Sequence, residues 1–341
     1  MACYHPRKGF PIGVSEKGTT KMKIVPWSVD HLDKIDEDFV CVSVPDSSPR
    51  ALYSIRQFTV IPCGKCLGCR LEYAKQWSAR LQCEYQMHDP NKCWFITLTY
   101  DDEHLPLVLG HTSLGEAMLV GSLREDDMKK FMKRLRKYAG SDNKLRFFYS
   151  AEYGSKTKRP HYHLIVYGLP IAQDDLIPYE VSDLGDMTWK CPVVEKIWSK
   201  GSVIVGKVTL ESCAYVARYC MKKLHDNHDD FSERVPEFVR MSRRPGIGKT
   251  WLDAHPEVFD VSQFSLPSRK GSQTFSHPRY FMKYLFEKDP ERYADLWCDR
   301  YLSSYYKLQN DLNSDLPYLQ KLRNEELDKF HRTAIMKRKL E

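Results

Sequence analysis

Residues 159–168 read Arg-Pro-His-Tyr-His-Leu-Ile-Val-Tyr-Gly, and no other stretch constrains the fold of this chain as tightly. Its β-branched and aromatic residues predict a strand from His161 to Tyr167. Side chains of a strand repeat every two residues, so His161 and His163 leave the same face. Neutral imidazole is a good ligand for a divalent ion, and two nitrogens leave coordination positions open for a substrate oxygen. Further along lies Ala214-Tyr215-Val216-Ala217-Arg218-Tyr219-Cys220-Met221-Lys222-Lys223, predicted as a helix over 210–224 capped by Thr209. Residues four apart on a helix share a face, so Tyr215 and Tyr219 stack one turn apart, with Lys222 on the same side. Lys223 points about 100° away from Lys222. A free phenol titrates near about pH 10, so attack by either tyrosine needs a polarised phosphate and a nearby cation, for which Lys222 is the better placed. Paired imidazoles that can hold a metal and paired phenols that can attack a phosphodiester twice point to DNA nicking and rejoining.

The surrounding pattern places these residues in an α+β domain. Cys93 to Tyr100, Leu145 to Glu152 and Ser202 to Val208 read as strands, and a short strand is expected at 39–44. Arg70 to Gln86 reads as a helix with a partial apolar face of Ala74, Trp77, Leu81 and Tyr85. A basic amphipathic helix is expected from Ser122, as its cap, to Tyr138, with Met128, Phe131, Met132 and Leu135 on the apolar side. Strand, helix, three strands and helix in that order predict a central antiparallel sheet with packed helices. The expected organisation is a cysteine-rich N-terminal region (1–90), a sheet domain (91–230) and a basic loop with a helical C-terminal extension (231–341). Ser242-Arg243-Arg244-Pro245-Gly246-Ile247-Gly248-Lys249-Thr250 superficially resembles a phosphate-binding loop. Arg243 stands where such a loop requires its first glycine, so a nucleoside-triphosphate site is not expected.

Hydrophobic residues make up 42% of the 341, enough for a buried core, and the formal charge is +7. Lys129, Lys130, Lys133, Arg134, Arg136 and Lys137 cluster on one helix, which suits either a polyanionic partner or a solvated face. No stretch approaches the roughly 20 apolar residues of a membrane span, and the N-terminus lacks the apolar core of a signal peptide. Eleven cysteines, three of them as Cys63-x-x-Cys66-x-x-Cys69, suit a metal site in a reducing cytoplasm better than a disulfide framework. Three thiolates at that spacing fit tetrahedral zinc, with a fourth ligand from elsewhere; His5 and Cys83 are among the candidates.

Taken in order, the motifs resemble those of replication initiators of the small single-stranded DNA phages (Microviridae), gokushoviruses in particular. These are HUH endonucleases of rolling-circle replication. Phe95-Ile96-Thr97-Leu98-Thr99, His161-Tyr162-His163 and Tyr215-x-x-x-Tyr219-x-x-Lys222 match the family's three motifs. Cys63-Gly64-Lys65-Cys66-x-x-Cys69 and Met241 to Gly248 resemble the gokushovirus pattern. The resemblance implies an RRM-like HUH sheet, a 5′-phosphotyrosine intermediate on Tyr215 or Tyr219, and Mg2+ or Mn2+ as the catalytic ion. It also implies Glu152 as third ligand, placed beside the histidines by the Gly154–Arg159 turn; Asp101, Asp102, Glu103 and His104 are rivals. An N-terminal cysteine belongs to the gokushovirus pattern, which makes Cys3 the preferred fourth zinc ligand. Lys129, Lys130, Lys133, Arg134, Arg218, Lys223, Arg243 and Arg244 are the candidate DNA contacts. The implied partners are single-stranded or nicked origin DNA and a host polymerase and helicase, in the cytoplasm of the bacterial host and without a membrane. The alternatives are an HUH relaxase or transposase, or a non-enzymatic zinc-stabilised nucleic-acid-binding module stacking bases on Trp94, Phe95, Phe147, Phe148 and Tyr149.

Overall fold

In the computed structural model the chain divides into two compact units, residues 1–72 with 304–341 and residues 73–303. The structure describes residues 3–338 except 17, 112–114, 155–156, 183–184, 220–232 and 270; at 218–219 and 333–338 it describes the backbone alone.

The first unit holds β1 (Arg7–Val14), β2 (Thr20–Val25), β3 (His31–Ile35), β4 (Asp38–Val42), β5 (Tyr53–Ile55) and β6 (Thr59–Ile61). They form two three-stranded antiparallel sheets, ordered β2-β1-β6 and β4-β3-β5. Phe10, Val25, Val29 and Leu32 make its core. Of these strands the sequence pattern predicts only β4. The others lack a long apolar run: β5 and β6 have three residues each, and β2 buries only Val25.

α1 (Leu67–Tyr85) begins three residues earlier than expected. The second unit follows as β7 (Cys93–Thr99), β8 (Leu107–His111), β9 (Ala117–Gly121), α2 (Glu125–Ala139), β10 (Arg146–Tyr153) and β11 (Pro160–Tyr167). Next come β12 (Ile177–Val181), β13 (Met187–Lys190), α3 (Pro192–Trp198), β14 (Val203–Lys207), α4 (Leu210–Tyr219) and β15 (Phe238–Met241). α5 (Lys249–Ala254), β16 (Gln263–Ser268), β17 (Gly271–Ser276), α6 (Arg279–Lys288), α7 (Pro290–Leu312) and α8 (Tyr318–Arg338) complete the chain.

The α+β class and the antiparallel sheet are as expected. Seven strands lie in the order β12-β13-β14-β7-β11-β10-β15, with every pairing antiparallel. One face carries Ile96, Leu98, Tyr162, Leu164 and Val166, on which α2 and α3 pack through Met128, Phe131, Leu135 and Trp198. α4 lies on the opposite face, over β10 and β11. Thr209 caps α4 as expected: its hydroxyl accepts the Ser212 amide at 3.1 Å, and the Ser212 hydroxyl accepts the Thr209 amide at 2.9 Å.

Ser122, by contrast, does not cap α2. Arg124 holds that position without a side-chain cap, while the Ser122 hydroxyl accepts the Val235 amide. The acidic first turn, Glu125-Asp126-Asp127, complements the helix dipole instead. Trp94, Phe148 and Tyr149 are buried in the core, so three of the five rings proposed for base stacking present no open face.

Candidate active site

Register brings the polar site together. His161 lies opposite Glu152 on β10 and Thr99 on β7, and His163 opposite Ser150 and Thr97. Cross-strand partners project from the same face, so Glu152, His161 and His163 converge there. Tyr162 points the other way into the core, where its hydroxyl exchanges hydrogen bonds with the backbone of Arg124.

Glu152 is 1% exposed, and its carboxylate oxygens stand 3.5 Å from His163 Nε2 and 3.9 Å from His161 Nε2. All three ligand atoms lie within 4.8 Å of one another. Two ligands about 2.1 Å from one ion and at right or tetrahedral angles are separated by roughly 3.0–3.4 Å. The observed spacings exceed that by about half an ångström at most, so the donor set fits a divalent ion with minor side-chain adjustment. His161 Nδ1 is 3.1 Å from the carbonyl of Arg159, which can only accept, so Nδ1 carries the proton and Nε2 keeps its lone pair. His163 Nδ1 is held at 3.0 Å by the hydroxyl of Thr97. That hydroxyl escaped the sequence reading as a functional group; its signal is register, since Thr97 is inseparable from ordinary strand alternation until its partner is known.

Aromatic rings close the site on the helix side. Tyr215 meets His163 edge-on with ring centres 5.2 Å apart. Phe95 stacks parallel to His163 at 5.8 Å and meets Tyr215 at 5.9 Å and 90°. Tyr219 is the last residue of α4 and Arg218 precedes it, but their side chains, like the whole of Lys222 and Lys223, lie outside the described residues.

The rival ligands are engaged elsewhere: Asp101 pairs with His104 at 2.8 Å and Asp102 with Arg159 at 2.8 Å. The basic residues of α2 are exposed, but that helix packs on the face opposite the histidines. Lys129 pairs with Asp126, and Arg134 donates to the carbonyl of Trp198. Arg243 and Arg244 are exposed on a loop held by a buried ion pair of Glu84 and Arg146. Arg146 donates to the carbonyls of Pro245 and Gly246, and Glu84 accepts the Gly248 amide at 2.6 Å. The amide that would cradle a phosphate in a nucleotide loop is thus already bonded, in keeping with the missing glycine.

In the first unit Cys3, Cys63, Cys66 and Cys69 present sulfurs within 4.8 Å of one another. Cys3 and Cys66 are 4.0 Å apart, as are Cys63 and Cys69, far beyond a disulfide. Four sulfurs about 2.3 Å from a tetrahedral ion stand about 3.8 Å apart, so this set fits one zinc. Gly64, at φ +76°, makes the turn between the ligands. The amides of Cys63, Cys66 and Tyr4 donate to the sulfurs of Cys3, Cys63 and Cys66, which favours the thiolate form a metal requires. The hydrogen bond with Cys3 holds Cys66 down to about 3, while the same contact and burial push Cys3 up. His5 pairs with Glu326 instead, and Cys83 is buried among Ala79, Leu210 and Trp251.

Comparison with known proteins gives the chain its family. A family model described as the phage replication-associated protein ORF2 matches residues 93–224, the stretch from β7 through α4 and just beyond. The chain is 33% identical over 249 residues to replication-associated protein ORF2 of Spiroplasma virus 4, covering 72% of each. It is 34% identical over 241 residues to replication-associated protein VP4 of Bdellovibrio phage phiMH2K, covering 69% of this chain and 70% of that one. The chain belongs to the family of phage replication-associated proteins. A third member, replication-associated protein ORF4 of Chlamydia phage 1, is 32% identical over 254 residues, or 70% of this chain and 58% of that one. No solved structure matches. The family match contains every residue of the histidine–glutamate–tyrosine site and none of the cysteine cluster. No helix among the described residues is long and apolar enough to cross a membrane.

Proposed function

We propose that the protein initiates rolling-circle replication of a phage genome as an HUH endonuclease and strand-transfer enzyme in the bacterial host. The observation that carries this reading is the convergence of Glu152, His161 and His163, with the Tyr215 ring against His163. A divalent ion such as Mg2+ or Mn2+ held by the three would polarise the scissile phosphate and stabilise the departing 3′ oxygen. Tyr215 or Tyr219 attacks phosphorus; the tyrosine O–P bond forms, the P–O3′ bond breaks, and the 3′ oxygen ends protonated as a hydroxyl able to prime a host polymerase. The 5′ end stays on the tyrosine, so bond energy is conserved and no nucleotide is consumed. The second tyrosine repeats the exchange when the origin is regenerated, and the free 3′ hydroxyl closes the displaced circle by attacking the first phosphotyrosine. Lys222 supplies the cation for the phenolate, and the exposed arginines and lysines contact the flanking phosphates of single-stranded or nicked DNA.

The cysteine cluster takes no part in that chemistry. Its four thiolates would bind Zn2+ as a structural centre.

The test is covalent. Protein incubated with single-stranded origin DNA and Mn2+ should retain DNA through denaturing electrophoresis, and peptide mapping should place the adduct on Tyr215 or Tyr219. A variant with both tyrosines changed to Phe should bind DNA and form no adduct. An adduct on another residue, or cleavage without any adduct, would refute the mechanism.

A further inference from the structure

Away from the histidines, one cavity has a lining with chemistry of its own. It measures about 270 Å3 and is lined by Tyr73, Gln76, Trp77, Arg80, Arg279 and Tyr280, together with a proline and no carboxylate. Its volume is at the lower edge of small-ligand sites, which start at roughly 300 Å3, and suits one flat ring system. The Arg80 guanidinium is sandwiched 4.1 Å from the ring of Trp77 and 4.1 Å from that of Tyr280. Two of its nitrogens donate to the carbonyl of Ile247, which ties the cavity wall to the loop bearing the exposed Arg243 and Arg244. The same loop touches Tyr280, because a Cβ on Gly246 would stand 2.5 Å from its hydroxyl. Burial lowers Arg80 to about 10, which leaves it cationic at neutral pH. Tyr73 and Arg279 are exposed at the mouth.

Position adds to chemistry. Trp77 rests on Phe148, ring centres 4.9 Å apart. Phe148 and Glu152 lie on the same face of β10, four residues apart, which is about 13 Å along a strand. That distance equals roughly four stacked nucleotides at about 3.4 Å each.

We propose that this cavity receives one unpaired base of the DNA strand held at the Glu152–His161–His163 site, with flanking phosphates on Arg279 and the Arg243–Arg244 loop. The placement of the strand rests on the nicking reading. Aromatic rings accept any base face, a guanidinium stacks or pairs with phosphate, and an acid-free lining repels neither. A free nucleotide offers the same chemistry and is the other source of the ligand to be distinguished.

An abasic scan on the full-length protein tests this. In an origin oligonucleotide of about 25 nucleotides, single abasic sites are placed at successive positions, and affinity is read by fluorescence anisotropy without cleavage. One position should weaken binding by about 5- to 150-fold, the range for losing one stacked base. In a variant combining Tyr73→Ala and Arg279→Ala, both exposed and outside the core, that position should lose its effect while its neighbours keep theirs. Circular dichroism must match the wild type. A flat scan, or a folded variant that still senses the same position, overturns the proposal. So does a mononucleotide that protects Tyr73 from modification while the scan stays flat, which would make the cavity a free-nucleotide site. Adduct formation on a short oligonucleotide spanning only the nick separates the readings: adduct with a flat scan defeats the cavity alone, and no adduct defeats the nicking reading.

Discussion

Thr97 is the residue through which β7 acts on His163. Its hydroxyl, 3.0 Å from Nδ1, turns the ring so that Nε2 faces Glu152. Partners of this kind typically change metal affinity by about 10- to 100-fold when removed. Thr97→Val keeps the shape and the β-branched preference of a strand residue, so the sheet should survive. Mn2+ affinity followed by calorimetry should fall by that factor, with an unchanged circular dichroism spectrum. An unaltered Mn2+ affinity would show that Phe95 and Tyr215 suffice to orient the ring. At this scale the sequence was most legible where geometry is local. His-x-His on a strand and Tyr-x-x-x-Tyr on a helix follow from periods of 2 and 3.6. Glu152 required the turn between β10 and β11 to be counted correctly, and Thr97 required a non-local register that no spacing shows.

Elements are joined by a buried ion pair that no pattern announced. Glu84 on α1 and Arg146 on β10 are 1% and 6% exposed, bonded at 2.6 Å, and together they hold the 245–248 backbone. Burial alone would raise the Glu84 carboxyl, but hydrogen bonds from His88, Arg146 and the Gly248 amide outweigh it and hold the group at about 2. Its folded value is below its ordinary one near 4.5, so the pair contributes stability that is complete above about pH 4.5 and is lost as pH falls through about 2. The difference corresponds to about 3 kcal/mol. Glu84→Gln should therefore lower urea stability at pH 7 by about 3–5 kcal/mol, since Arg146 is left buried without its counter-charge. It should also flatten the dependence of stability on pH between about 4.5 and 2. Equal urea midpoints for wild type and variant at pH 7 would sink this account. α1 and β10 were both legible as elements, from apolar periodicity and from aromatic alternation. Their union was not, because a Glu and an Arg separated by 62 residues look like two surface charges until folding buries them. The short hairpins were missed for a related reason: β12 is exposed along its whole length and carries no burial signal.

At the scale of the whole molecule, the two units draw their stability from different sources. Residues 73–303 enclose the large core between the seven-stranded sheet, α2 and α3. The first unit buries Phe10, Val25, Val29 and Leu32 between two small sheets, with Tyr318 of α8 stacked 4.8 Å from Trp27. Small cores of this kind usually need a metal or disulfides to fold. Its cysteines are free thiols, which leaves the tetrathiolate as the available cross-link. Apparent binding of structural zinc is worth about 10–16 kcal/mol at neutral pH, as large as the whole stability of a typical domain at about 5–15 kcal/mol. Chelation should therefore unfold the first unit while the sheet of the second persists. Freshly purified protein should contain one zinc per chain. After treatment with a strong chelator, amide exchange should become fast across β1–β6 and remain slow across β7, β10 and β11. Cys66→Ser should reproduce that pattern without chelator. Slow exchange in β1–β6 of zinc-free protein would show that the cysteine cluster packs as four thiols and that the small core stands on its own.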